Sequence, residues 1–450
     1  MNAPLPHPGV AAMAWPPIPD PAAAAMLALQ WQLEQSQWLA PAALRTAQLR
    51  QLRAVAAHAA ANVPWYRDAA RRGGIDDLST LTLERFLAWP VLRAREARAC
   101  AVELYAESYP KEHGPLLETR TTGSTGQPLK VFQTAASQFF AHGLVVREHL
   151  LHARDFSAKL AKTVGVTPHA SQPGWGLVNG VFPTGPAVSM PTSAGVEAQL
   201  RWLIEEAPAY VIGHAANLRA ILLHSRASGR IPSGVRELIS QGGTMPPDLP
   251  SLARELWNAR VTDTYSCEEF GLLAFQCPGQ THYHVNAEHV FLEVLREDGA
   301  PCAPGETGRV VVTSLNNFAM PLIRYEQGDY AVAGDACPAG RGLPVLERIA
   351  GRTRNMLRTP DGKRVFPAIS ADICLDIAPI RQFRLVQSAL DAVELHYAID
   401  RELSAFERST LAAALRERFG YPFRFGFVRV AAFEDAGGKF EDFVSRIGET

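Results

Sequence analysis

The residues best suited to chemistry form one run, Thr119-Arg120-Thr121-Thr122-Gly123-Ser124-Thr125-Gly126-Gln127-Pro128-Leu129-Lys130. It carries five hydroxyls and two glycines within twelve residues. Glycine lets a backbone turn its N–H groups inward, and hydroxyls add further donors, so such a run can wrap phosphate oxygens. It lacks the Gly-Lys-Ser/Thr ending of a Walker loop. Taken alone, it reads equally well as a polar surface turn. Further along come Gly242-Gly243 and then Asp263-Thr264-Tyr265-Ser266-Cys267-Glu268-Glu269-Phe270-Gly271. Leu322-Ile323-Arg324-Tyr325-Glu326-Gln327-Gly328-Asp329, Gly351-Arg352-Thr353-Arg354 and Gly437-Gly438-Lys439 follow. Hydroxyls, carboxylates and isolated cations in this order suit a phosphate-bearing ligand and a metal ion.

The ordered series resembles the adenylate-forming superfamily of acyl-CoA synthetases, peptide-synthetase adenylation domains and luciferases. Within it, the phenylacetate-CoA ligase-like family is the most similar branch. The helix leading into Asn62-Val63-Pro64-Trp65-Tyr66-Arg67, and then Trp89-Pro90-Val91-Leu92, match that branch's amino-terminal pattern. Each motif is weak singly; their shared order from about residue 45 to residue 447 is what carries the resemblance.

The resemblance implies a reaction in which a carboxylate attacks ATP to give an acyl-adenylate and pyrophosphate. A thiol, usually that of CoA, then displaces AMP. An amine, a hydroxyl or a carrier-protein thiol is the alternative acceptor, as in natural-product or polysaccharide pathways. Thr121, Thr122, Gly123, Ser124, Thr125 and Gly126 would hold the outer phosphates. Gly242 and Gly243 would let adenine lie against the backbone, with Tyr265 stacking on it. Glu269 matches the glutamate that binds Mg²⁺, Asp329 the aspartate that grips the ribose hydroxyls, and Arg352 its supporting arginine. Lys439 matches the catalytic lysine of a mobile small domain, where an ammonium and Mg²⁺ offset charge growing at the α-phosphate. No general base is required, because a carboxylate is already ionised near pH 7. A non-catalytic nucleotide-binding relative is the third reading, and Glu269, Asp329 and Lys439 argue against it.

Two departures stand out. Relatives often have Thr before the metal glutamate, and here it is Glu268. Relatives usually have Asp at the hinge, and here it is Arg354. The stretches Trp175 to Phe182 and Tyr210 to His214 sit where family members line the acid pocket. Trp175, Phe182, Tyr210 and His214 would suit an aromatic or apolar acid, although core packing uses the same residue types. Some members bind a structural zinc in segments that here hold Cys277, His284 and Cys337. Ala339 replaces a further cysteine, and three ligands fall short of the four of a closed zinc site. A degenerate site without metal is therefore the expectation.

These residues need a frame to position them. The fold expected is α/β: a large multi-subdomain amino-terminal domain with mainly parallel sheets, and a small mobile α+β carboxy-terminal domain. Boundaries fall at a Pro/Ala-rich arm over 1–40, an ATP- and acid-binding domain over 41–351 and a small domain over 352–450. The arm reads as loosely ordered, since its prolines interrupt a helical ladder. Leu44, Leu49, Leu52, Val55 and Ala59 at helical spacing predict an amphipathic helix over 42–62. Val211-Ile212, Leu238-Ile239 and Val261 read as ends of buried strands alternating with helices over 196–206 and 214–228. Strands are predicted over 289–296 and 308–314. The last hundred residues read as β-β-α-β, with strands over 383–388, 393–399 and 423–432 and a helix over 403–418.

Composition agrees with a globular protein: 450 residues, 47% apolar and 20% charged. A formal net charge of −1 excludes the broad basic field that nucleic acid or an anionic membrane would require. An anionic ligand must be held by a local device. Only six of the 44 basic residues are lysines: Lys111, Lys130, Lys159, Lys162, Lys363 and Lys439. A lysine in such a chain is worth testing as a chosen point charge. Six scattered cysteines, no positive leader and no membrane-length apolar run lead to the expectation of a cytoplasmic enzyme. A small-molecule acid and CoA are its expected partners, with a homodimer as a candidate assembly.

Overall fold

The computed structural model describes residues 4–67, 80–120, 129–163, 169–367, 369–370, 372–431, 433 and 441–447. The Thr121 to Gly126 run and Lys439 lie outside the described residues. The chain divides into two compact units. The first comprises Met1–Ser157, Gly174–Thr184 and Thr264–Ile349; the second comprises Ala158–Pro173, Gly185–Asp263 and Ala350–Thr450.

In the first unit the expected loose arm is ordered in its second half, as the helix Pro21–Ser36. Proline at the first helical position loses nothing, because that N–H has no intrahelical partner anyway. Asp20 caps the helix by accepting from the N–H groups of Ala22 and Ala23 at 2.8 and 2.9 Å. Beyond Pro21 the run is free of proline, and Ala23, Met26, Leu29 and Leu33 form a buried stripe. That stripe packs on the helix Ala135–Leu151, where a side chain at Gly143 would collide with Leu29. The predicted helix is present as Pro41–Asn62, burying Leu44, Leu52, Val55, Ala56 and Ala59. It also buries Gln48, whose amide donates to the carbonyl of Ala287 at 2.9 Å.

The strands of the first unit run in the order Val290–Leu295, Thr307–Ser314, Tyr325–Ala333, Val345–Arg352, Tyr283–Val285, Gly271–Gln276, Arg260–Cys267. Two of these strands, Arg260–Cys267 and Val345–Arg352, each continue into the second unit. Pairing here is antiparallel wherever neighbouring strands are joined by short turns. Parallel strands need long crossovers, which this stretch of chain lacks. The short strand Leu92–Arg93 adds in parallel to Tyr325–Ala333.

Arg324 fixes this arrangement. It is 5% exposed, and its guanidinium forks onto Glu293 at 2.9 and 3.0 Å. It also donates to the carbonyls of Leu87 and Trp89. Its own backbone N–H donates to Thr313 Oγ1 at 2.9 Å, and its carbonyl accepts from Leu92. Burial pushes the Glu293 carboxyl up, and the facing guanidinium opposes that shift. The backbone at Arg324 sits at φ 48°, a left-handed conformation that a side chain adopts only when its surroundings hold it.

The second unit contains the expected parallel sheet. Glu237–Gln241, Tyr210–His214, Leu160–Thr163 and Ala187–Ser189 pair in parallel in that order. Helices Val196–Glu206, Ala215–Ser228 and Leu249–Trp257 pack on it through Leu200, Leu203, Leu218, Leu222 and Leu252. The predicted β-β-α-β segment is also here, as Gln382–Ala389, Ala392–Ala398, Ala405–Phe419 and Arg424–Arg429. Ser404 and Glu407 cap its helix reciprocally. A further strand, Phe443–Ser445, pairs in parallel with Gln382–Ala389. Within the unit, Arg219 of the helix Ala215–Ser228 reaches Asp442 at 2.7 Å, Asp248 at 3.5 Å and the carbonyl of Ile369 at 3.3 Å. No helix among the described residues is long and apolar enough to cross a membrane.

Removing one partner of a buried ion pair leaves an uncompensated charge. Glu293→Ala is therefore expected to lower unfolding free energy by about 3–5 kcal/mol. The exposed pair Arg424–Asp391, at 2.9 Å, serves as the control, and Asp391→Ala should leave the denaturation midpoint nearly unmoved. Denaturant titration checks both; equal effects would remove Arg324 from its central place.

Candidate functional site

Strand alternation builds the site of the first unit. Tyr265 lies on the strand Arg260–Cys267, and Asp329 on Tyr325–Ala333. The Tyr265 hydroxyl donates to Asp329 Oδ2 at 2.7 Å. Gln327, two residues earlier on the same strand face, donates to the same oxygen at 2.7 Å and to the Tyr265 hydroxyl at 2.9 Å. Tyr265 and Asp329 are 6% and 5% exposed. The carboxylate is thus fixed in orientation by two donors in a dry setting, where hydrogen bonds to charge are strong. Burial raises the Tyr265 hydroxyl pKa well above its ordinary value, and the Asp329 carboxylate adds to the shift.

Glu269 follows the same strand in the turn before Gly271–Gln276. Its Oε1 accepts from the Tyr325 hydroxyl at 3.2 Å. Burial raises the Tyr325 pKa, and the neighbouring Glu269 charge adds to it. Cys267 lies between Tyr265 and Glu269 in the chain. Burial pushes its thiol well up, and the carboxylates of Glu269 and Asp329 push it further. Tyr265, Glu269 and Asp329 therefore gather around three residues that sequence reasoning left without roles: Cys267, Tyr325 and Gln327. Period-two alternation could have found Gln327, because it shares the face of Asp329.

In the second unit, Gly242-Gly243 follow the carboxyl end of the strand Glu237–Gln241. Gly242 has φ 72°, the left-handed region that favours glycine, and nothing lies within 4 Å of where a Cβ on Gly243 would be. Tyr210 and His214 share one face of a parallel strand; Tyr210 is buried, and His214 Nδ1 lies 3.1 Å from the Gln241 carbonyl. Arg352 is exposed at the end of the strand Val345–Arg352. Arg354, at the expected hinge, forks onto Glu441, with Nε 2.8 and 3.2 Å from its two oxygens.

The aromatic pair Trp175 and Phe182 lies in the first unit, 3% and 2% exposed. Both rings pack on Phe156, at centroid distances of 5.6 and 5.3 Å, and Trp175 also meets His149 at 5.4 Å.

The third cluster differs in membership from the expected Cys277, His284 and Cys337. His282, His284 and Cys337 bring one donor atom each to within 4.8 Å of one another. Cys277 Sγ lies 3.4 Å from Nδ1 of His284. The hairpin between Gly271–Gln276 and Tyr283–Val285 turns His282 inward, which spacing alone did not reveal. Burial, then the neighbouring His282, depresses His284 to about 3, so its imidazole is neutral. Nε2 of both histidines is buried without a hydrogen-bond partner.

No protein-family model matches the chain. A phenylacetate-coenzyme A ligase of Thermus thermophilus is 25% identical over 378 residues, which is 78% of this chain and 80% of that protein. A phenylacetate-coenzyme A ligase of Escherichia coli is 36% identical over 84 residues, 18% of each protein. The solved structure of 2-hydroxyisobutyryl-CoA ligase in its postadenylation state, in complex with R3-HIB-AMP, matches with a TM-score of 0.75 at 18% identity. That match covers 92% of this chain and 91% of the other. The chain has the fold of that ligase, and its similarity to the Thermus ligase extends over most of its length.

Because burial, and then the charges of Glu269 and Asp329, raise the Cys267 pKa, its alkylation by a small haloacetamide should keep accelerating as pH rises past 9. Glu269→Gln removes one like charge and should move that profile to lower pH. A plateau below pH 8, followed by mass spectrometry of the labelled peptide, would contradict the electrostatic arrangement.

Proposed function

We propose that the chain is an AMP-forming acid–thiol ligase. It joins a carboxylic acid to the α-phosphate of ATP with release of pyrophosphate, then passes the acyl group to CoA. The buried Tyr265–Gln327–Asp329 cluster beside Glu269 carries this reading. A carboxylate held by a tyrosine and an amide suits the paired hydroxyls of a ribose, because its orientation is set before the ligand arrives. The similarity to a phenylacetate-coenzyme A ligase over 378 residues supports the same assignment.

In this reading Asp329 accepts from the ribose hydroxyls, and Gly242-Gly243 give adenine access to the backbone. The run from Thr121 to Gly126 donates to the outer phosphates. Arg352 supports the ribose contact. Lys439 brings an ammonium to the α-phosphate, where charge builds as the carboxylate attacks. Glu269 suits Mg²⁺, a hard cation that takes one or two carboxylates and completes its shell with phosphate and water oxygens. Bound there, magnesium would neutralise phosphate charge in the transition state.

The cluster of His282, His284 and Cys337, with Cys277 beside it, suits a structural zinc ion. Sulfur and neutral imidazole are zinc donors, and four of them close a tetrahedral site. Such an ion would tie the turn after Gly271–Gln276 to the segment before Val345–Arg352.

Carboxylate-dependent exchange of pyrophosphate into ATP tests the first half-reaction, and a panel of acids would identify the substrate. AMP release that requires CoA supports the second; release driven by an amine or hydroxyl, but not by CoA, overturns it. Asp329→Ala should weaken ATP binding about 10- to 100-fold, the scale of a lost hydrogen bond to charge. Lys439→Ala should lose exchange yet still turn over a supplied acyl-adenylate. For the metal, protein purified without a histidine tag should contain about one zinc per chain by mass spectrometry. His282→Ala should lose that zinc and lower the melting temperature, whereas zinc-free wild type overturns the assignment.

A further inference from the structure

Lys162 occupies the third position of the strand Leu160–Thr163 and is its only half-buried residue. It is in register with Ser189 on one neighbouring strand and Ile212 on the other. Ile212 is in turn level with Ile239. Residues level in adjacent strands point to one face, and successive residues alternate between faces. The face bearing Ala161, Val188 and Val211 is packed into the core beneath the helices. Lys162 therefore belongs to the opposite face, which it shares with Tyr210 and His214.

Its setting is costly. Among the described residues Lys162 makes no side-chain hydrogen bond or ion pair. Burial alone depresses its pKa. A cation partly withdrawn from water without a partner is unfavourable, and such groups gather where a ligand supplies the missing charge or acceptor. The face also loosens in one direction. Tyr210, Glu237 and Ile239 are buried, while Ile212, His214 and Gln241, which include the residues at the carboxyl ends of their strands, are half-buried. Ligands of parallel sheets sit beyond those carboxyl ends. An ammonium can only donate, so its partner must be an acceptor. The chain otherwise strongly prefers arginine, yet here it uses the compact point charge on a flexible stem.

We propose that Lys162 is a specificity-determining residue that pairs with a second oxygen acceptor on the carboxylic acid, so the preferred acid is oxygenated away from its reacting carboxylate. This rests on the ligase reading and narrows its substrate. It departs from the aromatic or apolar acid that Trp175, Phe182 and Tyr210 suggest on residue type.

The test compares pairs of acids of equal carbon length, one bearing a hydroxyl, oxo or second carboxylate and one without, in pyrophosphate exchange. Wild type should favour the oxygenated member in kcat/KM. Lys162→Met should reduce that preference about tenfold, mainly through KM for the acid, because a group built to bond an oxygen discriminates against its absence. Lys162→Arg should restore part of it. A preference ratio unchanged in Lys162→Met overturns the inference while leaving the ligase reading intact. A matching rise in KM for ATP instead would reassign the lysine to the nucleotide and also overturn it. Absence of exchange with every acid defeats the ligase reading, and this inference with it.

Discussion

A single buried guanidinium sets the geometry around the candidate nucleotide site. Arg324 has acceptors on Glu293 and on Leu87 and Trp89, two segments far apart in the chain. Its backbone opens the strand that carries Gln327 and Asp329. Guanidinium cannot shed its charge, so once buried it must have every acceptor in place. Satisfying it therefore draws the edge strand, the amino-terminal helical layer and the site strand into register together. The left-handed backbone at Arg324 is the local cost of that demand. Asp329 inherits its position from this pairing, five residues downstream.

The site itself concentrates acidic and aromatic groups rather than basic ones. Tyr265, Tyr325 and Gln327 all donate toward carboxylates, and burial together with the same charges keeps Cys267 protonated. In the proposed reaction, positive charge would come from outside this cluster, through magnesium and Lys439. A net charge near zero and few lysines agree with that division, since no diffuse basic field competes for the ligand. Such a site gains selectivity from the placement of a few groups, not from overall attraction.

Much of the frame was legible in the sequence because it rests on periodicity. Leucines at helical spacing gave Pro41–Asn62, and alternating apolar residues gave Val290–Leu295 and the carboxy-terminal hairpin. The helix Pro21–Ser36 was missed because nearby prolines were read as breakers, although Pro21 sits where a helix tolerates it. In the site, motif order singled out Tyr265, Glu269 and Asp329, but not their contacts. Tyr265 and Asp329 are 64 residues apart in sequence, and no local pattern encodes a 2.7 Å hydrogen bond between them. His282 was passed over because ligand spacing is a property of turns, and the hairpin determines which histidine faces inward. The expected parallel pairing is present in the four strands from Glu237–Gln241 to Ala187–Ser189 of the second unit, whereas the strands of the first unit pair mostly antiparallel, their connections being too short for crossovers.

Arg354 and Glu441 lie 87 residues apart and face each other as a forked ion pair at the expected hinge. The family resemblance implies aspartate where this chain has Arg354. Exchanging that one residue here would set two carboxylates against each other at contact distance. The two residues are therefore electrostatically coupled: reversing the sign of one leaves the other without its partner. A graft of the segment bearing Arg354 onto another protein of this fold should accordingly carry both residues.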